Sequence, residues 1–203
     1  MYLLQSKVDF NMENNIKAFL LVLDAADNST GGGTASCVAG SMAAGLVGMV
    51  ARLSMGKEGL LPTEHYERIA MGAEALSGRL FDAGRIDSEA FAVGSAAYKM
   101  PKETPDQKQA RSRAIQKGME HCARVPLANA RMCREVLSLA EELSENYNLN
   151  AASDLQCGEY LATAGLKGCT ANVRINLPYI KDEAVVRQIE NDLAALLSKT
   201  DVA

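Results

Sequence analysis

Three places in this 203-residue sequence bring together groups that suit binding or proton transfer. The first is Gly31-Gly32-Gly33, a turn by composition that opens a helix. Such a turn gathers free N–H groups and the positive end of a helix dipole at one point, which suits a carboxylate or a polar ring. The same residues also serve as a plain tight turn between helices. No Gly-Lys-Ser/Thr follows and no strand precedes, so neither a phosphate loop nor a dinucleotide fingerprint is present. The second is Asp154 beside Ser153, in the first turn of a small-residue helix, where a carboxylate satisfies the dipole or serves a site. The third is Asn172 with Asn176, four apart on one helical face. Two amides so placed bridge helices, or they meet a heterocycle with mixed donors and acceptors. A basic set, Lys99, Lys102, Arg111 and Arg113, reads as a solvated face by composition.

Other chemistries are excluded by what the sequence holds. Two histidines, His65 and His121, stand outside any ligand-spaced cluster, so no metal site is expected and no Ser-His-Asp or Cys-His arrangement can be built. The five cysteines form no CxxC pair and are odd in number, as expected of reduced thiols in a cytoplasmic protein. A net charge of −4 with no Lys/Arg stripe argues against nucleic acid. Met1 to Lys7 lack the pattern of a signal peptide. The stretch Asn28 to Ala51 carries no charge and is long enough to cross a bilayer, but Gly, Ala, Ser and Thr dominate it, so a helix buried inside the protein is expected rather than a membrane span.

The elements that must position these groups are helical. Ile16, Phe19, Leu20 and Leu23 give a first amphipathic helix over about 11–26. A Gly/Ala-rich helix over about 34–55 follows, with Gly40, Ala44 and Gly48 on one face and Gly33, Cys37 and Ser41 on the next; so small a helix is expected at the centre, surrounded by others. Further helices are expected over 64–83, ending at Gly84, and from a cap at Asp87 or Ser88 to Ala97. The Thr104-Pro105-Asp106-Gln107 capping box starts the next, which Pro126 kinks or divides. Ser153-Asp154-Leu155-Gln156 reads as a second capping box, and a last helix spans about 182–198. Only 172–177 shows any strand-like alternation. The expectation is an all-α fold, a single domain over 1–203 of about eight helices around the central Gly/Ala-rich one.

Taken together, in this order, several motifs resemble the cyclodeaminase domain of the formiminotransferase-cyclodeaminase family and the related methenyltetrahydrofolate cyclohydrolases. They are Gly31-Gly32-Gly33 with Gly48-Met49-Val50-Ala51, Asp87-Ser88-Glu89-Ala90-Phe91, Lys99-Met100-Pro101-Lys102-Glu103-Thr104, Ser153-Asp154-Leu155-Gln156 and Asn172-Val173-Arg174-Ile175-Asn176-Leu177. The likeness runs from about residue 10 to 197. Ser29-Thr30 stands where the family usually has prolines, and Arg52-Leu53-Ser54 where it usually has Asn-Leu-Thr. The resemblance implies a helical homodimer acting on a tetrahydrofolate derivative, with no bound cofactor. It implies closure of 5-formiminotetrahydrofolate to the 5,10-methenyl compound with loss of ammonia; the alternatives are hydrolysis of the methenyl ring to 10-formyltetrahydrofolate, or folate binding without catalysis. On the resemblance and the needs of that chemistry, Asp154 and then Asp87 are the expected proton-transfer groups. Ser153, Asn172, Asn176 and the glycine turn are expected to hold the pterin and one-carbon unit. Lys99, Lys102 or Arg111 would meet the glutamate tail.

Overall fold

In a computed structural model the chain is described over residues 2–198, with side chains from residue 12; Met1 to Lys7, read for a leader above, have no described side chains. Six α-helices follow one another: α1 (Tyr2–Leu23), α2 (Gly32–Ser54), α3 (Thr63–Tyr98), α4 (Pro105–Ser144), α5 (Ala152–Asn176) and α6 (Glu183–Leu197). Single 3-10 turns, Leu149–Ala151 and Leu177–Tyr179, lead into and out of α5. No strand occurs among the described residues, and 172–177 forms the end of α5 and the turn after it.

The small residues of α2 allow α3, α4 and α5 to close upon it. Thirteen of its 23 residues are buried and its one charged residue is Arg52 in the last turn, which marks this helix as the core of the bundle. Its partner α3 runs antiparallel: Ala73 packs on Gly48, Leu80 on Gly40 and Gly84 on Thr34. Antiparallel α5 lies on an adjacent side, with Gly158 against Ala43 and Val47 and Gly165 against Ser36. A Cβ on Gly165 would stand 2.9 Å from the Ser36 carbonyl oxygen, so only glycine allows this approach. Tyr66, Ile69, Leu80, Val136, Leu143 and Leu166 fill the space between. Each such side chain contributes roughly 1.5–3 kcal/mol on burial. A second cluster of Met119, Leu127, Val173, Ile189 and Leu193 seats α6. One side of α2, with Met42, Met49 and Leu53, remains exposed.

Among the described residues the helix count is six rather than eight for two physical reasons. Gly84 does not end a helix: α3 runs through it, because the Thr34 hydroxyl donates to the Gly84 carbonyl at 2.7 Å and a side chain there would crowd Thr34. Ser88 consequently caps nothing and donates back to the Arg85 carbonyl. Pro126 sits fully buried inside an unbroken α4. The Thr104–Gln107 capping box forms, with both reciprocal bonds, at 3.1 and 3.2 Å. The Ser153–Gln156 box does not: α5 begins at Ala152 without a side-chain cap, and the turn before it is capped by Asn148. In α1 the expected apolar stripe is not the buried face: Ile16, Leu20 and Leu23 are exposed, while Asn15 and Ala18 are buried. Asn15 anchors that helix to α3 through Asp82 and Arg85.

Candidate active site

The register of α2 against α3 and α5 decides where the site forms. Because both neighbours run antiparallel to α2, the start of α2 meets the later half of α3 and the end of α5. The three helices meet at a cleft of about 200 Å³ lined by Gly31, Gly32, Gly33, Asp87, Phe91, Cys122, Asn172 and Asn176 among others. Asp87 and Phe91 are four apart on α3, and Asn172 and Asn176 are four apart on α5, so the walls each present an i, i+4 pair. The turn before α2 is ordered by Asp27, whose carboxylate accepts from the Ser29 hydroxyl at 2.8 Å and the Thr30 N–H at 2.9 Å. Those bonds, the Ser29 hydroxyl foremost, hold its carboxyl below the usual range.

Among the described residues Asp87 is the one charged side chain lining this cleft. It is half-buried, and no described residue donates a hydrogen bond to it. Burial pushes its carboxyl up from 3.8 to about 6. Its carboxylate lies so near α2 that a Cβ at position 33 would come 2.5 Å from Cγ. Gly31 at the N-cap has no side-chain bond to offer the helix, and the first-turn residues Gly32 and Gly33, at the positive end of the α2 dipole, line the cleft. A carboxyl that titrates near neutrality in a cleft can hand a proton in either direction.

The opposite wall is fixed by a proline. Pro126 has no N–H, so the carbonyl of Cys122, four residues earlier in α4, loses its helical donor. The Asn176 amide supplies one at 3.1 Å and a second bond to the Asn172 carbonyl at 2.8 Å. Asn172 donates to the Gly168 carbonyl at 3.2 Å. Asn176 thereby spends both of its N–H groups on the backbone and Asn172 one of its two, which leaves both amide oxygens and one Asn172 N–H for a ligand. The Cys122 thiol donates to the Ala90 carbonyl, and burial, with the nearby Asp87 charge, pushes its pKa up, so it remains a thiol. Beneath the cleft Cys37, Cys133 and Cys169 are buried and free, and their mutual hydrogen bonds and burial keep Cys133 protonated.

The structure brings together Gly31, Gly32, Gly33, Asp87, Asn172 and Asn176. Lys99 stands at the end of an adjoining groove of about 500 Å³ that shares Asn28, Ser29, Ser88 and Phe91 with the cleft. Lys102 is exposed in the α3–α4 connector. Arg111 donates to the Tyr98 carbonyl at 3.1 Å and lies over the Tyr98 ring, binding the end of α3 to α4. Ser153 and Asp154 are not brought to the cleft. Asp154 lies 18 residues before Asn172 on α5, about 27 Å along the helix at 1.5 Å per residue. Arg52, which departs from the family's usual Asn, is at the far end of α2 and pairs with Glu74. Ser29 does line the cleft. Phe91 and Cys122 were not singled out from sequence for a role. Their signals were the i, i+4 relation of Phe91 to Asp87 and of Cys122 to Pro126.

The sequence matches the formiminotransferase-cyclodeaminase family over residues 15–195. A methenyltetrahydrofolate cyclohydrolase from Methylorubrum extorquens is 36% identical over 185 residues, 91% of this chain and 89% of that protein. A formimidoyltransferase-cyclodeaminase from Rattus norvegicus is 28% identical over 198 residues, 95% of this chain but 36% of that protein, so the chain spans about a third of that relative's length. The fold is shared with a formiminotetrahydrofolate cyclodeaminase from Thermotoga maritima, with a TM-score of 0.77 and 29% identity over 88% of this chain and 85% of that one.

Proposed function

We propose that this chain, which belongs to the formiminotransferase-cyclodeaminase family, is a folate enzyme that hydrolyses 5,10-methenyltetrahydrofolate to 10-formyltetrahydrofolate. The sequence-based expectation put cyclodeaminase first. The order is reversed because the cyclohydrolase relative is similar over 89% of its own length. The observation that carries the reading is Asp87: a cleft whose lining has one carboxylate and no cation suits a ligand whose reacting carbon lies between two nitrogens and bears positive charge.

The residues perform the reaction as follows. The Asp87 carboxylate accepts a proton from a water as its oxygen bonds to the methenyl carbon. The bond from that carbon to N5 then breaks, the carbonyl forms, and Asp87 returns the proton to N5. The second water proton is released, so the cationic ring and water give neutral 10-formyl product and one proton. The Asn172 and Asn176 oxygens hold the N–H edges of the pterin. The groove toward Lys99 takes the rest of the molecule. Most of the rate comes from holding substrate and base in register.

A second reading, cyclodeaminase, is favoured by the Thermotoga maritima structure. There N10 would attack the formimino carbon. The N10 proton and one from the Asp87 acid would leave with nitrogen as ammonia. Loss of the methenyl chromophore above the buffer rate supports the hydrolase; its appearance from 5-formiminotetrahydrofolate, with ammonia, supports the deaminase. Neither signal would remove both readings. A homodimer belongs to the same proposal, and a sedimenting mass of twice 21.7 kDa would support it where 21.7 kDa would remove it.

A further inference from the structure

Hydrolysis as written uses Asp87 and the two asparagines and gives Phe91 no task. Yet Phe91 is 56% exposed, in a chain with four Phe and no Trp. A single exposed apolar side chain needs no explanation on an ordinary surface. Phe91 is not on an ordinary surface. It lines both the polar cleft and the groove leading to Lys99, among Ser29, Ser88 and Ser95. No ring or cation contact engages it among the described residues. Its position relative to Asp87 is fixed by the helix: side chains four apart on α3 have Cβ atoms about 5–6 Å apart. A flat ligand lying on the Phe91 ring at ordinary stacking distance therefore has its edge at the Asp87 carboxylate. The facing wall supplies the Asn172 and Asn176 oxygens to the ligand's other edge.

We propose that Phe91 is the stacking platform for the folate ring system and that it favours the cationic methenyl form over the neutral ring-opened product. This rests on the folate reading of the cleft. The electron-rich face of an aromatic ring attracts a delocalised cation and gains nothing comparable from a neutral formamide. Phe91 thus acts in binding and selectivity, while the proton transfer stays with Asp87.

The test uses the full chain and three variants at an exposed position that leave the fold intact. Phe91→Ala is expected to raise KM for 5,10-methenyltetrahydrofolate about fivefold to thirtyfold, with kcat changed less than about threefold. Its inhibition by 10-formyltetrahydrofolate should weaken less, about twofold. Phe91→Tyr should restore the wild-type KM. Phe91→Trp introduces the chain's only indole, and its fluorescence should be quenched as 5,10-methenyltetrahydrofolate saturates the protein. Turnover by the wild type with no change of KM in Phe91→Ala and no quenching in Phe91→Trp would overturn the platform and leave the hydrolase reading standing. Quenching without turnover would support the platform and remove the hydrolase reading.

Discussion

The carboxylate of Asp87 occupies the space that a side chain on Gly33 would need. A Cβ built there would stand 2.5 Å from Asp87 Cγ and 2.7 Å from Oδ1, with Oδ2 nearer still. Gly33→Ala must therefore push Asp87 out of register or spread α2 from α3. Turnover should fall about a hundredfold, as misplacement by an ångström does, and stability should fall by about 1–3 kcal/mol. Gly45→Ala, on the exposed side of α2, outside the cleft and with nothing within 4 Å of its Cβ, is the control and should retain activity. Steady-state rates with urea unfolding of both variants check this.

Asp87 also makes stability depend on pH. In the unfolded chain the group titrates at its ordinary 3.8, and in the fold at about 6. The fold favours the protonated acid, so its contribution is fully present below about pH 4 and is lost as pH rises through about 6. At pH 8 the ionised group costs about 1–2 kcal/mol, the full shift being reduced by water in the open cleft. Asp87→Asn should accordingly stabilise the protein by that amount at pH 8 and by nothing at pH 4. Chemical unfolding at the two pH values measures it, and an equal gain at both would mean that Asp87 is not held above its ordinary range.

Pro126 and Asn176 should be coupled through the Cys122 carbonyl. Asn176→Ala alone leaves that carbonyl unpaired in a buried place and should cost about 1–3 kcal/mol. Pro126→Ala supplies the missing backbone N–H, which competes with the Asn176 amide and should raise KM several-fold. In the double variant the new N–H takes over the carbonyl, so the losses should fall short of the sum by about 1 kcal/mol. A double-mutant cycle on unfolding free energies reads this directly; strict additivity would break the link.

Asp154 is the residue for which sequence and structure point to different outcomes. On the resemblance, Asp154→Asn should abolish turnover. From its place some 27 Å along α5 from Asn172, the variant should keep activity within about twofold, as surface substitutions do. A hundredfold loss in kcat would return Asp154 to the chemistry.

The helical class and the central helix were legible because composition forces them: Gly, Ala and Ser at helical spacing over 34–51 leave α2 only the middle of a bundle. The Thr104 start was legible because a capping box is a local hydrogen-bond pattern. The helix count was not, since Gly84 and Pro126 usually end helices and here are overridden by long-range partners, Thr34 and Asn176. The site was half legible. Gly31–33 and the asparagine pair lie in the cleft, but their meeting with Asp87 depends on antiparallel register, which no spacing encodes. Asp154 ranked ahead of Asp87 on the resemblance and the needs of the chemistry, because a carboxylate in the first turn of a helix stands out in sequence and one in the middle of α3 does not. Only packing shows which one α2 approaches.

The central claim is that Asp87 moves the proton when the methenyl ring opens. The direct measurement is the loss of 5,10-methenyltetrahydrofolate absorbance at pH 8 by wild type and by Asp87→Asn, each at saturating substrate. Wild type should exceed the buffer rate, and the variant should lose a factor of about 10²–10⁴ in kcat while still binding substrate. An Asp87→Asn protein that turns over at the wild-type rate would contradict the account.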